Sequence, residues 1–317
     1  MKKYTWLTFL PILLFLLPSP ATLQTLRVAT WNIEHLRDEN DEGPNARDPA
    51  DYTRLAVYAS RLNADIVALQ EVEGPAAAER VFDPEKYSFY FSSRDDEMLT
   101  GFAVRKTISV TQNPDYEDLD VSGRLRYGTD ITVTTEGQQI RFLSVHLKSG
   151  CHGGSLDSDT KACRDLREQL PVLERWIDAR AAENTPFVVL GDFNRRFDNP
   201  CDTFWPEIDD GEPANADLTR VPEGLISECW CSEYPLYIDY IILDRRASKW
   251  VVTGSFEQWV YDEDESVKKK LSDHCPISVL LDLSQSAPKP DLNDILHKID
   301  SIEVQIEELR QWIIDRN

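Results

Sequence analysis

Positive charge is what this chain has least of. Lysine and arginine total 34 against 56 aspartates and glutamates, leaving a formal net charge of -22 over 317 residues. Such a field repels polyanions at long range and argues against unassisted, tight binding of nucleic acid. Salt confines the reach of that field to about 8 Å, so the local placement of the few basic residues matters more than their sum. Long apolar runs are also scarce. One stretch, Tyr4 to Leu17, is apolar and lies behind Lys2 and Lys3; no other approaches the length of a membrane span. No C-x-x-C with matching histidines occurs, which disfavours a transition-metal site built from thiolates. No internal repeat is visible.

Residues 1–21 have the layout of a secretory signal peptide, ending in the small residues Ser19-Pro20-Ala21. The expectation is cleavage after Ala21 and a secreted or periplasmic protein. An oxidising compartment makes disulfides available to the six cysteines. Cys151 and Cys163 bracket a polar, glycine-bearing loop and are expected to pair; Cys201 is expected to pair with Cys229 or Cys231. Cys275, on a buried strand, is read as a free thiol.

What the chain does contain is a series of strand-like runs that each end in polar residues. Pro186 to Asn194 (P-F-V-V-L-G-D-F-N) is an apolar strand delivering Asp192 and Asn194. Period-2 alternation puts both on one side of the strand's exit. Gly-Asp-x-Asn alone is also ordinary turn chemistry. Leu26 to Ile33 delivers Asn32, Ile66 to Val72 delivers Glu71, and Arg141 to Lys148 delivers His146. Asp239 lies inside the apolar run Tyr237 to Leu243, where an unpaired charge is costly. Asp273 and His274 are adjacent in S-D-H-C-P. The ordered set is much harder to obtain by chance than any one member.

Helical spacing marks Arg54 to Asn63 and Thr160 to Ala182. Further strands are expected at Ser88 to Ser92, Thr100 to Arg105, Ile131 to Thr135, Trp250 to Thr253 and Ile277 to Leu283. This order of strands and helices predicts an α/β body over residues 22–283. Ser284 to Pro290 reads as a linker, assigned to 284–291. Beyond it, Leu292, Ile295, Ile299, Ile302, Ile306, Leu309 and Ile313 recur at spacings of 3 and 4, an unbroken heptad seam. Residues 292–317 are therefore expected to form a coiled-coil helix. Isoleucine at both seam positions favours a homotrimer over a dimer, assembled through 292–313.

The stretches T-W-N-I (30–33), L-Q-E-V (69–72), S-V-H-L-K-S (144–149), G-D-F-N (191–194), Y-I-D-Y-I (237–241) and S-D-H-C-P-I (272–277) together resemble the endonuclease/exonuclease/phosphatase superfamily, which includes pancreatic-type deoxyribonucleases. The resemblance implies a four-layer α/β sandwich, two packed mixed sheets with helices outside, plus the C-terminal helix. It implies Glu71 as principal magnesium ligand with Asn32 and Asp273 nearby; manganese or calcium would also suit this oxygen-rich set. Asp192 and Asn194 would orient the attacking water and the phosphate. His146 and His274 would flank the phosphate, with Asp239 holding the His274 ring. Arg126, in G-R-L-R-Y-G, would contact a phosphate oxygen, and Glu97 would orient His146. A basic rim is drawn from Arg124, Arg126, Lys148, Arg195, Arg196 and Lys268 to Lys270. The expected activity is metal-dependent phosphodiester hydrolysis, with DNA the favoured partner. A phospholipid phosphodiesterase and a non-catalytic oligomeric binding protein are the alternatives. Aromatics Trp259 and Tyr261 are read as packing residues rather than membrane or base contacts.

Overall fold

The computed structural model describes residues 25–286 apart from 136, 214–215 and 231–233, together with positions 306 and 310. The leader, the end of the linker and, apart from Ile306, the heptad seam expected above lie outside the described residues. In chain order the first half comprises β1 (Thr25–Leu36), α1 (Pro49–Leu62), β2 (Ile66–Val72), α2 (Pro75–Glu79), β3 (Tyr87–Phe91), β4 (Leu99–Arg105), β5 (Ser109–Gln112), β6 (Thr129–Thr135) and β7 (Gln138–His146). The second half adds α3 (Lys161–Glu183), β8 (Phe187–Asp192), α4 (Phe204–Ile208), β9 (Leu218–Val221), β10 (Asp239–Asp244), β11 (Glu257–Gln258), α5 (Glu265–Leu271) and β12 (Ile277–Asp282).

These strands make two six-stranded sheets, ordered β11-β12-β1-β2-β4-β3 and β5-β6-β7-β8-β10-β9. Alternation along each central strand decides what it faces. Leu26, Val28, Ile66, Ala68, Phe102 and Val104 of the first sheet join the core shared with the second. Their neighbours Trp31, Val67 and Leu69 pack instead with Leu55, Ala59 and Leu62 of α1. Burying each such large side chain contributes roughly 1.5–3 kcal/mol. On the far side of the second sheet, α3 lays Trp176 edge-on against Phe187, ring centroids 5.5 Å apart. The result is the four-layer α/β sandwich. Every residue of β8 and β10 is buried, which is why those strands read as unbroken apolar runs.

Caps set the helix boundaries. Asp48 accepts from the backbone N–H groups of Ala50 and Asp51, and Asp51 returns the bond to the Asp48 N–H. With Pro49 in the first turn, α1 therefore starts five residues before Arg54, where apolar spacing alone placed it. The strand expected at Trp250 to Thr253 is instead a 3₁₀ turn, Ala247–Trp250, followed by a lone bridge from Val251 to Leu281. The Asp244 carboxylate accepts from the N–H groups of Arg246 and Ala247 and turns the chain there.

Cys151 and Cys163 are bridged as expected. Cys275 is not a free thiol: it pairs with Cys229, Cα atoms 5.8 Å apart, because the loop ahead of β10 folds across the entry to β12. Cys201 is free and exposed, so its expected pairing with Cys229 fails; Cys231 lies outside the described residues.

Two parallel pairings, β1 with β2 and β7 with β8, bring four carboxyl-terminal strand ends to one rim. Antiparallel β10 and β12 bring their amino-terminal ends to the same rim. Gly191 permits the β7–β8 approach. Its φ is +146°, and a Cβ there would stand 2.0 Å from the Val145 carbonyl oxygen. Gly191→Ala should cost on the order of 3 kcal/mol in urea unfolding; a loss within about 0.5 kcal/mol would show that β7 can retreat without consequence.

Candidate active site

Strand register alone sets three of the site's residues side by side. His146 is paired with Asp192, and Asp192 with Asp239, across β7, β8 and β10. The first sheet contributes Asn32 and Glu71. The Asn32 Nδ2 donates to Glu71 Oε1 at 3.2 Å and to Asp192 Oδ2 at 3.1 Å, so one carboxamide joins the two sheets. The Glu34 N–H, donating to Asn32 Oδ1 at 3.0 Å, fixes which way that carboxamide faces. Just beneath, Thr30, Gln70 and Ser144 form a second polar stitch between the sheets.

Local irregularity aims the functional groups. The β1–β2 and β2–β4 registers both slip near Glu71, which sits at φ +58°. Asn194, at φ +52°, curls back so that its N–H and Nδ2 both donate to Asp192, at 2.8 and 3.0 Å. Non-glycine residues in the left-handed region are uncommon and persist where the surroundings hold them.

Charges are sorted by environment. Burial pushes the Asp192 carboxyl up to about 7, with His274 pulling the other way and Asp239 adding to the rise. Burial alone would lower His274, but the facing Asp239 and Asp192 carboxylates hold it well above its usual value. Its Nδ1 bonds Asp239 Oδ2 at 2.7 Å, which answers the burial of Asp239, and its Nε2 lies 3.7 Å from Asp192 Oδ2. His146 is the opposite case. Its Nε2 is 3.4 Å from Asp192 and 3.7 Å from Glu71, yet burial, then Arg126 and His274, hold it well below the usual range. Two histidines on one carboxylate are thus shifted in opposite directions, which at neutral pH favours the charged form of His274 and the neutral form of His146.

Asp273, exposed at the rim, lies 3.8 Å from His274 Nε2, and its N–H donates to Glu34 Oε2 at 3.0 Å. Glu34 was missed in the sequence, although alternation from Asn32 puts it on the same side of β1. Burial and the charge of Asp273 push it up to about 7. His35 was missed as well; its Nε2 is 3.6 Å from Glu71 Oε2. The charges of Asp273 and Glu71 both repel the Glu34 carboxylate, a repulsion that a divalent cation on this oxygen-rich side would relieve, and Asn32 adds an amide. The residues present therefore fit magnesium, manganese or calcium. Asp192, Asp239 and His274 also offer three ligand atoms within 4.8 Å of one another. That trio is poorly suited to a cation, since its histidine is already bonded to Asp239 and positively charged.

Arg126 lines a cavity of about 680 Å³ with Glu71, His146, Asp192, Asp273 and His274, and Arg196, Lys269, Trp230, Tyr234 and Tyr237 also border it. Two expectations fail. Glu97 does not orient His146: it lies exposed on the loop before β4 and pairs with Arg37, while the buried His146 Nδ1 has no partner among the described residues. Arg195 is no part of a rim; it is fully buried and bonds Asp202 and the carbonyls of Cys151 and Gly154. Tyr261 is a packing residue, and its hydroxyl accepts from Trp31 and donates to the His274 carbonyl.

No curated protein matches the chain in sequence. Among solved structures it is similar to TDP2 from C. elegans, at 18% identity and a TM-score of 0.60, over 81% of this chain and 75% of that one. It is similar to D. rerio TDP2 complexed with single-strand DNA product, at 22% identity and 0.57, over 81% and 98%. A third is the 3′ phosphatase NExo from Neisseria bound to product DNA hairpin, at 16% and 0.53, over 81% and 99%. These likenesses establish the fold. A profile of the Endonuclease/Exonuclease/phosphatase family matches residues 29–274, a span that runs from β1 to His274 and takes in every site residue described above; the chain belongs to that family, whose members are hydrolases acting on phosphoester bonds.

Proposed function

We propose that this chain is an exported, divalent-cation-dependent phosphodiesterase that acts as an endonuclease on DNA. The observation that carries the hydrolytic reading is Asp192, a carboxyl set between the His146 and His274 rings at 3.4 and 3.7 Å, whose burial pushes it up to about 7. A group poised there can accept a proton from water at neutral pH. Asn194 holds the carboxylate oriented for that transfer. His274, kept charged by Asp239, faces the phosphate and offsets the negative charge that builds on it. Neutral His146 offers its ring as a hydrogen-bond partner to the ester oxygens, and Arg126 supplies a further positive group. Asn32, Glu71, Asp273 and Glu34 would hold the cation, which neutralises phosphate charge when bound.

Nucleic acid is favoured over a choline headgroup by the aromatic wall. A quaternary ammonium needs bare ring faces. Here Lys268 stands over the Trp230 ring at 4.5 Å, and the Arg196 guanidinium lies 5.9 Å from the Tyr234 ring. Cation-clad aromatics suit a strand that carries both bases and phosphates. The DNA held by the TDP2 and NExo structures supports the same choice. The alternative, a phospholipid phosphodiesterase, draws on the net charge of -22 and the exposed Leu225 and Ile226. Export by residues 1–21 and trimer formation through 292–313 belong to this proposal.

Purified protein should nick plasmid DNA and leave sphingomyelin intact, and chelation should abolish the nicking. Asp192→Asn and His274→Ala should each lower turnover by about 10³-fold or more while still folding; near wild-type turnover in both would refute the assigned roles. A pH series tests the pairing of Asp239 with His274. The folded chain holds the His274 proton more tightly than the unfolded chain does. That contribution to stability is full below 6.5 and fades as pH rises through the raised folded value. Asp239→Asn removes the largest of the carboxylate contributions that raise the His274 value, so the alkaline limb of kcat/KM should move to lower pH. An unmoved limb would show that Asp239 does not set the His274 charge.

A further inference from the structure

Behind the carboxylate cluster, and outside the cavity, lies a fully buried arginine to which neither the sequence motifs nor the proposed chemistry assigns a part. Arg47 is 1% exposed and has no carboxylate within ion-pair distance among the described residues. Its guanidinium is spent on main-chain carbonyls. Nε donates to Lys270 at 2.7 Å and Nη1 to His35 at 3.2 Å. Nη2 lies 2.9, 2.8 and 2.7 Å from the carbonyl oxygens of Ile33, Glu34 and Leu271.

Those five carbonyls belong to two segments only. One is the end of β1 that follows Asn32 and contains Glu34. The other is the end of α5, which runs directly into Asp273 and His274. The first segment is strained: Glu34 and His35, consecutive and non-glycine, sit at φ +36° and +54°. Such backbone persists only where its surroundings over-determine it. A buried charge without a carboxylate partner is likewise costly unless dipoles converge on it. Each problem is the other's solution, because the carbonyls that satisfy the guanidinium are those of the strained turn and of the segment it must face. Ser272, whose hydroxyl donates to the Asn32 carbonyl at 2.8 Å, adds a lighter tie between the same two segments.

We propose that Arg47 is the positioning residue of the cation site. It holds Glu34 and Asp273 facing each other against their repulsion, so that the ligand set is assembled before the ion arrives. This rests on the cation reading above. Arg47 is no part of the cavity lining; it acts through the backbone it grips and through the attraction of its charge for the nearby Glu34 carboxylate.

The test compares thermal melting of the full chain in chelator and in saturating magnesium chloride, for wild type, Arg47→Gln, Arg47→Lys and Asp48→Ala. Asp48→Ala removes the α1 cap next door and serves as a control for general destabilisation. Wild type should melt higher with magnesium. Arg47→Gln should lose most of that magnesium-dependent rise, and the magnesium concentration giving half of it should increase by about tenfold or more, the usual loss when ligand supports are removed. Asp48→Ala should melt lower in chelator yet keep the full rise. Should Arg47→Gln not fold, Arg47→Lys decides, since an ammonium cannot span five carbonyls and should show the same loss. A wild-type rise at wild-type concentrations in the folded Arg47 variants would overturn this inference alone. A wild-type chain that gains nothing from magnesium or manganese would overturn the cation reading and this inference with it.

Discussion

Like charge held at close quarters is the constraint from which the rest of the molecule follows. Glu34, Glu71, Asp192, Asp239 and Asp273 converge on one rim of a sandwich, Asp192 and Asp239 buried there. Carboxylates so placed repel one another, and low dielectric makes the repulsion worse. The fold answers with donors rather than with a core of basic side chains. The Asn32 carboxamide serves two acids, Asn194 gives two hydrogen bonds to Asp192, and His274 is shared between Asp192 and Asp239. Where repulsion persists, chiefly on Glu34 from Glu71 and Asp273, is where a cation fits.

This arrangement explains why the site is assembled at strand ends. Two parallel pairs and two antiparallel strands place six chain segments within reach of one another, and the sheets behind them are continuous hydrophobic packing. Rigidity in the sheets lets a few residues at or near three strand ends leave regular geometry. Glu34, His35, Glu71 and Asn194 all adopt positive φ. Strain of that kind is tolerable where hydrogen bonds and burial hold it, and here the buried guanidiniums of Arg47 and Arg195 grip the loops from behind. Both are fully buried and both spend most of their donors on carbonyls. Neither behaves as a surface cation.

The sequence made legible the sandwich and most of the polar side chains that meet at its rim, for a physical reason. Each of these side chains is a polar residue in or at the end of an apolar strand, so Asn32, Glu71, His146, Asp192 and Asp239 stand out against their neighbours. Asp192 and Asn194 could be placed together by alternation alone. What could not be read is anything that depends on which loops meet. The Cys229–Cys275 bridge joins segments far apart in the chain, and nothing local to Cys275 distinguishes a bridged sulfur from a buried thiol. Arg195 and Arg196 are adjacent and identical, yet one is a buried staple and the other lines the cavity. Glu97 was assigned by position near the motifs, and its partner, Arg37, comes from another loop. Helix α1 began earlier than its apolar spacing because a capping box set the boundary.

The covalent tie at Cys275 has a practical side. It is the residue directly after His274, and its partner Cys229 precedes Trp230 on the wall of the cavity. Oxidation state and ring placement are therefore a single variable. A thiol reductant added merely to keep a preparation monodisperse would slacken both the wall and the backbone that carries the charged imidazole. Hydrolysis measured in such a buffer would describe a different molecule.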